Sequence, residues 1–201
     1  MIHSTLLKNG QHAVSRWKNG NGMTFEIAIS PEGADFSKDP FLWRISSAVC
    51  DRGGPFSSFE GYERYLTLID GKKFNLKFTR TGHETPVEYG KVFDFSGDDG
   101  VTMELPDGPV KDLGLVYRRD AVSAGFHVLE FKSKPRSITA EGRTTFVICM
   151  RGRLHASIYP GETKFKLTPL DAIRIDCGRN EEASILLEPS GNCAACVIEI
   201  E

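Results

Sequence analysis

Apolar residues in this chain recur at every second position in short runs, and nowhere do they sustain a 3.6-residue period over three turns. Met23, Phe25, Ile27 and Ile29 alternate with Thr24, Glu26 and Ala28 as far as Pro31. In Phe41 to Val49 the bulky Phe41, Trp43, Ile45 and Val49 share one face, with Arg44 and Ser46 on the other. Leu66 to Ile69 runs into Asp70-Gly71, a hairpin signal, and Phe74, Leu76 and Phe78 alternate on the return. Similar runs follow at Val92–Phe95, Val101–Leu105, Phe126–Phe131, Thr144–Met150, Leu154–Tyr159, Phe165–Leu167, Ala172–Ile175, Ser184–Leu187 and Cys196–Ile200. Gly, Pro, Asp or Asn punctuates them. Many short strands at near-regular spacing predict an all-β sandwich or barrel.

A weak internal repeat sharpens that expectation. Arg64-Tyr65-Leu66-Thr67-Leu68-Ile69-Asp70-Gly71 matches Thr145-Phe146-Val147-Ile148-Cys149-Met150-Arg151-Gly152 in pattern, and Phe95-Ser96-Gly97 matches Asp176-Cys177-Gly178 at the same offset. Pro106-Asp107-Gly108 lies over Pro189-Ser190-Gly191 at a slightly longer one. Two β-barrels of about 90 residues each would fill the 201 residues. A chain this long buries roughly 70% of its unfolded surface, enough for a core without disulfides or metal.

Composition excludes several classes. Hydrophobic residues at 40% and charged residues at 26% rule out a disordered chain. A net charge of −2 leaves no basic excess for a generic nucleic-acid binder. No apolar run approaches the roughly 18 residues of a spanning helix. Met1 to Lys8 has no basic region followed by an apolar one, so the expected location is the cytoplasm, with the five cysteines reduced.

The densest polar-glycine cluster is Arg16-Trp17-Lys18-Asn19-Gly20-Asn21-Gly22. It precedes a strand, not a helix, so it is not a phosphate-cradling loop. Gly20 and Gly22 permit positive φ and close backbone approach, Trp17 offers an apolar face with one donor, and Asn19 offers donor and acceptor. A tight turn with a packing tryptophan is the plain alternative. Arg44 is out of phase with the apolar face of its strand, so it meets solvent or a polar cavity. Arg64 opens a strand among aromatic residues, where a planar guanidinium suits bidentate capture of a carboxylate or phosphate, or simply packs on Tyr62 or Tyr65. The histidines show no metal-ligand spacing, and Cys193-Ala194-Ala195-Cys196 is a lone C-x-x-C whose Cys196 falls in phase with Ile198 and Ile200. No G-x-S-x-G occurs.

The stretches Trp17–Ile27, Phe41–Ala48, Gly54–Gly61 running to Arg64 and Gly71, Phe95–Asp98, and Gly108–Leu113 ending in Arg118-Arg119 together resemble the HutD/Ves family. That resemblance implies a cytoplasmic bicupin, two double-stranded β-helix barrels, expected here at 10–115 and 116–201. Asn21 stands where the family usually has a third glycine, and a turn with Asn at positive φ would preserve it. Gly114 stands where the family commonly has an asparagine. Cupins carry two histidines and a glutamate for a divalent ion. Aligned on Gly71 their positions hold Ser57, Phe59 and Arg64, and aligned on Gly152 the glutamate position holds Thr145. A guanidinium at that point turns a cation site into a candidate anion site.

The reading is therefore a metal-free, cofactor-free bicupin that binds a small anionic metabolite. The resemblance implies an accessory or regulatory role in histidine utilisation, with N-formylglutamate, formate or urocanate as candidate ligands. Arg64 would clamp the carboxylate, Trp17 would wall the pocket, and Asn19, Gly20 and Gly22 would orient the ligand. Glu26, Arg44 and Asp112 would balance charge. Two rivals stand beside it. One is a metal-free isomerase- or epimerase-like enzyme, with Glu26 or His127 as base; the other is a stress-induced scaffold that binds a protein partner. Neither nucleic acid nor membrane is expected as a partner, and exposed strand edges would suit a homodimer.

Overall fold

A computed structural model describes residues 2–140 and 144–201. Among them the regular elements are all strands, apart from one 3-10 turn at Asn9–Gln11. The strands are β1 His3–Leu7, β2 Ala13–Arg16, β3 Gly22–Ser30, β4 Trp43–Cys50, β5 Gly54–Pro55, β6 Tyr62–Asp70, β7 Lys73–Phe78, β8 Glu84–Glu88, β9 Phe93–Ser96, β10 Val101–Glu104 and β11 Val110–Arg118. They continue as β12 Ala124–Phe131, β13 Arg136–Ala140, β14 Thr144–Arg151, β15 Leu154–Tyr159, β16 Thr163–Leu167, β17 Ala172–Asp176, β18 Ala183–Pro189 and β19 Cys193–Ile200. No helix among the described residues is long and apolar enough to cross a membrane.

The chain divides into two compact units, Ala13–Val122 and a second made of Ser123–Glu201 with the segment up to His12. In the first, one sheet runs β2-β3-β4-β11-β6-β9 and the other β5-β10-β7-β8. In the second, the sheets run β1-β17-β14-β19-β12 and β13-β18-β15-β16. Adding eight to β4-β11-β6-β9 and β5-β10-β7-β8 reproduces the second unit's order strand for strand. The duplication extends to irregularities. A bulge interrupts β6–β11 pairing at Lys111/Asp112, and another interrupts β14–β19 pairing at Cys149/Arg151. This is the cupin double-stranded β-helix, built twice.

The units divide at 122/123, not at 115/116. β11 continues through Arg118, and a cut at 115 would sever its pairing with β4 and β6. The first strand also departs from the expected order, since β1 pairs with β17 from His3↔Asp176 to Leu7↔Ala172. Asp171 fixes that attachment. It is 2% exposed and accepts from the backbone N–H groups of Thr168 at 2.9 Å and Asn9 at 3.1 Å, with Lys8 Nζ at 3.2 Å. Burial alone would raise this carboxyl, but those N–H donors outweigh it and hold it below the usual range. A depressed acid contributes stability above its unfolded pKa of about 4 and loses it as pH falls through the folded value. Asp171→Ala is expected to cost about 2–4 kcal/mol at neutral pH by chemical denaturation, because it strands buried donors. A loss no larger than that of an exposed-site alanine would overturn this assignment.

The two interiors differ. In the Ser123–Glu201 unit Phe131, Val147, Leu154, Ile158, Ile173, Ile185 and Leu187 pack between the sheets. In the Ala13–Val122 unit Leu68, Phe74, Leu76, Val101 and Val110 form one apolar cluster, while Ile29, Phe41 and Val116 form another. A cavity lies among residues of this unit.

Candidate functional site

Strand register places the cavity's polar groups. Side chains alternate faces along a strand, so Arg44, Ser46 and Ala48 of β4 share a face with Asp112, Gly114 and Val116 of β11 and with Arg64 and Leu66 of β6. Val116 pairs with both Arg44 and Arg64, Gly114 with Ser46 and Leu66, and Asp112 with Ala48 and Leu68. Two arginines thus flank one valine in a single cross-strand row, and Asp112 lies two rows away. Gly114 sits between, and a Cβ there would lie 3.1 Å from the Tyr65 carbonyl oxygen and 3.4 Å from Leu66 Cδ1. The cavity above is about 730 Å³, within the range of small-molecule sites. Trp17, Phe36, Phe56 and Phe59 contribute its aromatic walls, and Arg16, Lys18 and Arg52 add charge.

Arg64 is the chemically unsatisfied group. Its carbon Cζ lies 4.6 Å from the Phe56 ring centroid, 5.0 Å from that of Phe95 and 5.5 Å from that of Phe59. Nη1 donates to the Ser57 carbonyl at 3.2 Å, one bond from a group with five donors. No carboxylate among the described residues lies within ion-pair distance of it. Burial lowers its pKa to about 10, so it stays cationic at neutral pH. The Phe56–Phe59 segment is anchored by Phe56 N–H to the Val101 carbonyl at 2.8 Å and Phe59 N–H to the Gly97 carbonyl at 2.9 Å. Arg44, by contrast, is spoken for: Nε donates to Glu26 Oε2 at 2.7 Å and its Cζ lies 3.9 Å from the Phe36 centroid.

Asp112 is 4% exposed. The Ala48 N–H donates to Oδ1 at 3.1 Å, and Cys50 Sγ is 3.8 Å from Oδ2. Burial raises its pKa to about 7, against the opposing pull of the Ala48 N–H and Arg64.

The turn before β3 supplies the tryptophan wall. Asn19 Oδ1 accepts from Asn21 N–H at 3.0 Å, and Gly20, at φ +72°, is the left-handed position. Positive φ therefore falls at Gly20 and not at Asn21, whose carbonyl instead accepts from the N–H groups of Asp51 and Arg52. Trp17 Nε1 donates to Thr24 Oγ1 at 2.8 Å. A Cβ at Gly22 would lie 2.3 Å from the Val49 carbonyl oxygen and 3.2 Å from the indole, so glycine here permits a close approach, not a positive φ. Gly22→Ala is expected to cost about 1–3 kcal/mol through overpacking and to disturb Trp17. Unchanged stability and indole fluorescence would contradict that contact.

Of the residues singled out in the sequence, Arg64, Trp17, Asn19, Arg44 and Asp112 line the cavity. Gly20 and Gly22 shape the turn behind it, and Glu26 acts through Arg44. Phe36, Phe56, Phe59, Ser46 and Gly114 were absent from that set, although the alternation that puts Arg44 inward also puts Ser46 inward. His127 belongs to the other unit, with its side chain 61% exposed. Cys193 and Cys196 are both fully buried, three residues apart on one strand and so on opposite faces.

The HutD family model matches residues 9–195. The chain belongs to the HutD family. Its relatives include an uncharacterised 21.2 kDa protein in the hutC 3′ region of Pseudomonas putida and the protein Ves of Citrobacter koseri. Each is 35% identical over 118 residues, covering 58% of this chain and 60% or 59% of the relative, so the match spans under two thirds of their length. Among solved structures, a conserved protein of unknown function from Pseudomonas aeruginosa PAO1 superposes with a TM-score of 0.89, at 26% identity over 99% of both chains. HutD from Pseudomonas fluorescens SBW25, solved in a formate condition, gives 0.80 at 25% identity over 98% of both. A cupin from Leptotrichia buccalis, at 10% identity, 94% coverage of this chain and 89% of its own, shares the fold with a TM-score of 0.57.

The cupin fold suggests testing these HutD-family residues for a metal. At the expected ligand positions Ser57 and Phe59 supply a hydroxyl and a phenyl ring, and Arg64 a cation. That donor set does not fit a divalent ion. In the second unit Thr145 stands in β14, fully buried beside an apolar interior, which fits no better.

Proposed function

We propose that the Ala13–Val122 unit binds a small carboxylate metabolite in this cavity and serves histidine utilisation as a non-catalytic, regulatory or accessory protein. The observation that carries the reading is Arg64, a cation without an ion-pair partner among the described residues, boxed by three aromatic rings at a cavity wall. A guanidinium in such a place stabilises an incoming carboxylate through paired N–H donors. The aromatic walls accept the ligand's apolar body. Family membership, and a relative named for its place beside hutC, support N-formylglutamate, urocanate and formate as first candidates.

The test is a thermal-shift and calorimetric screen of those carboxylates beside sugar phosphates and divalent metals. A carboxylate at a hundred times its Kd adds about 2.7 kcal/mol. At this length Tm should rise by roughly 5–10 °C. A metal shift with a flat carboxylate panel would overturn the reading.

A further inference from the structure

We infer that Lys18 and Arg52 form a cationic entrance that draws anions into the cavity by charge, ahead of any contact with Arg64. This rests on the carboxylate reading of the same cavity.

The lining is charged out of proportion to the chain. Arg16, Lys18, Arg44, Arg52 and Arg64 border the cavity beside only two carboxylates, Asp35 and Asp112, in a protein whose net charge is −2. Partners sharpen the contrast. Arg44 is bound to Glu26. Asp35 is bound to Lys38 and accepts from the Ser37 N–H and hydroxyl. Asp112 is nearly buried. Arg16, Lys18 and Arg52 remain, all exposed, and none has a carboxylate within ion-pair distance among the described residues. Asp51, next to Arg52 in the chain, is exposed and lies outside the lining.

Lys18 and Arg52 start from backbone segments that are bonded to each other. Lys18 belongs to the turn closed by the Trp17 N–H on the Gly22 carbonyl and the Gly20 N–H on the Trp17 carbonyl, both at 3.0 Å. In that turn the Asn21 carbonyl accepts from the N–H groups of Asp51 at 2.9 Å and Arg52 at 3.4 Å. Two unpaired charges are thereby held at one mouth, and low-dielectric walls focus their field into the cavity.

Screening separates an entrance from a second clamp. An exposed cation acting through solvent over about 10 Å loses its pull once the Debye length falls below that distance. A guanidinium hydrogen-bonded to the ligand inside the cavity is screened much less.

The experiment is titration calorimetry of the full chain with N-formyl-L-glutamate, urocanate and formate. It is run at about 10 mM and about 1 M sodium chloride, where the Debye length is roughly 30 Å and 3 Å. The readout is the ratio of variant to wild-type Kd, in which competition by chloride at Arg64 cancels. Lys18→Glu and Arg52→Glu should each weaken binding roughly threefold at low salt, and roughly tenfold together, shrinking to under about twofold at high salt. The loss should be larger for the dianion N-formyl-L-glutamate than for the two monoanions. Lys72→Glu makes the same charge change at an exposed lysine of the β6–β7 turn, outside the lining, and should have less effect than either. Ratios that stay equally large at both salts would make the two residues direct ligand contacts. Ratios of one at low salt, or an equal effect from Lys72→Glu, would remove the mouth from the account. Each of these results overturns the entrance and leaves the carboxylate site standing. Failure of all three probes to bind the wild type at low salt would overturn both.

Discussion

Arg64→Ala should abolish carboxylate binding while leaving the protein folded. Charge-assisted hydrogen bonds contribute about 1.5–3 kcal/mol each, and a bidentate clamp makes two of them. Affinity should therefore fall at least about a hundredfold. The same substitution removes an unpaired cation from an aromatic box, and burial of that cation opposes folding. The lost ring contacts act the other way, so Tm without ligand should move little. Arg64→Lys is the informative control. Lysine keeps the charge as a point and loses the planar fork, so binding should recover only partly. Calorimetry against N-formyl-L-glutamate, with circular dichroism on each variant, reads both effects. Wild-type affinity in Arg64→Ala would place the anion elsewhere in the cavity, and an unfolded variant would assign Arg64 to stability.

The two barrels were legible because alternation marks half-buried strands. Leu154–Tyr159 matches β15 residue for residue, and Thr144–Met150 falls one residue short of β14. β11 was the costly omission. Val110–Arg118 is buried at Val110, Asp112, Leu113, Leu115 and Val116, on both faces, so no apolar-polar alternation marks it. An acid and a glycine in mid-strand hide it further, and those two residues shape the cavity floor. β1 and β2 were missed for the opposite reason. They are edge strands with little buried surface, and the placement of β1 also depends on β17, distant in sequence. At the site, the pattern could put Arg44 opposite the apolar face of its strand but could neither choose cavity over solvent nor pair it with Glu26, because that pairing needs the β3–β4 register and its bulge at Glu26/Ala28. Nor could local spacing bring Phe95 to Arg64, which takes the β6–β9 pairing.

The repeat predicts a ranking among glycines of one backbone class. Gly152 and Gly191 both lie in the left-handed region, at φ +81° and +87°. An alanine there costs about 1–2 kcal/mol from conformation alone. Space separates the two positions. A Cβ at Gly191 meets nothing within 4 Å, whereas one at Gly152 would lie 2.6 Å from the Asn192 carbonyl oxygen and 2.7 Å from Cys193 Cβ. Those atoms belong to the entry of β19, which is paired on both sides by β12 and β14 and has no room to retreat. Gly152→Ala should therefore cost about 3–5 kcal/mol in chemical denaturation, and Gly191→Ala only the conformational part. Gly71 occupies the matching turn of the first unit, with contacts at 3.0 Å to Pro109 and Val110, and Gly108 at φ +96° is open. Gly71→Ala should fall between Gly152→Ala and the open pair. Equal costs at all four positions would mean that conformation alone conserves the turn. The predicted order requires instead that each hairpin seat its glycine against the strand crossing behind it, in both copies of the barrel.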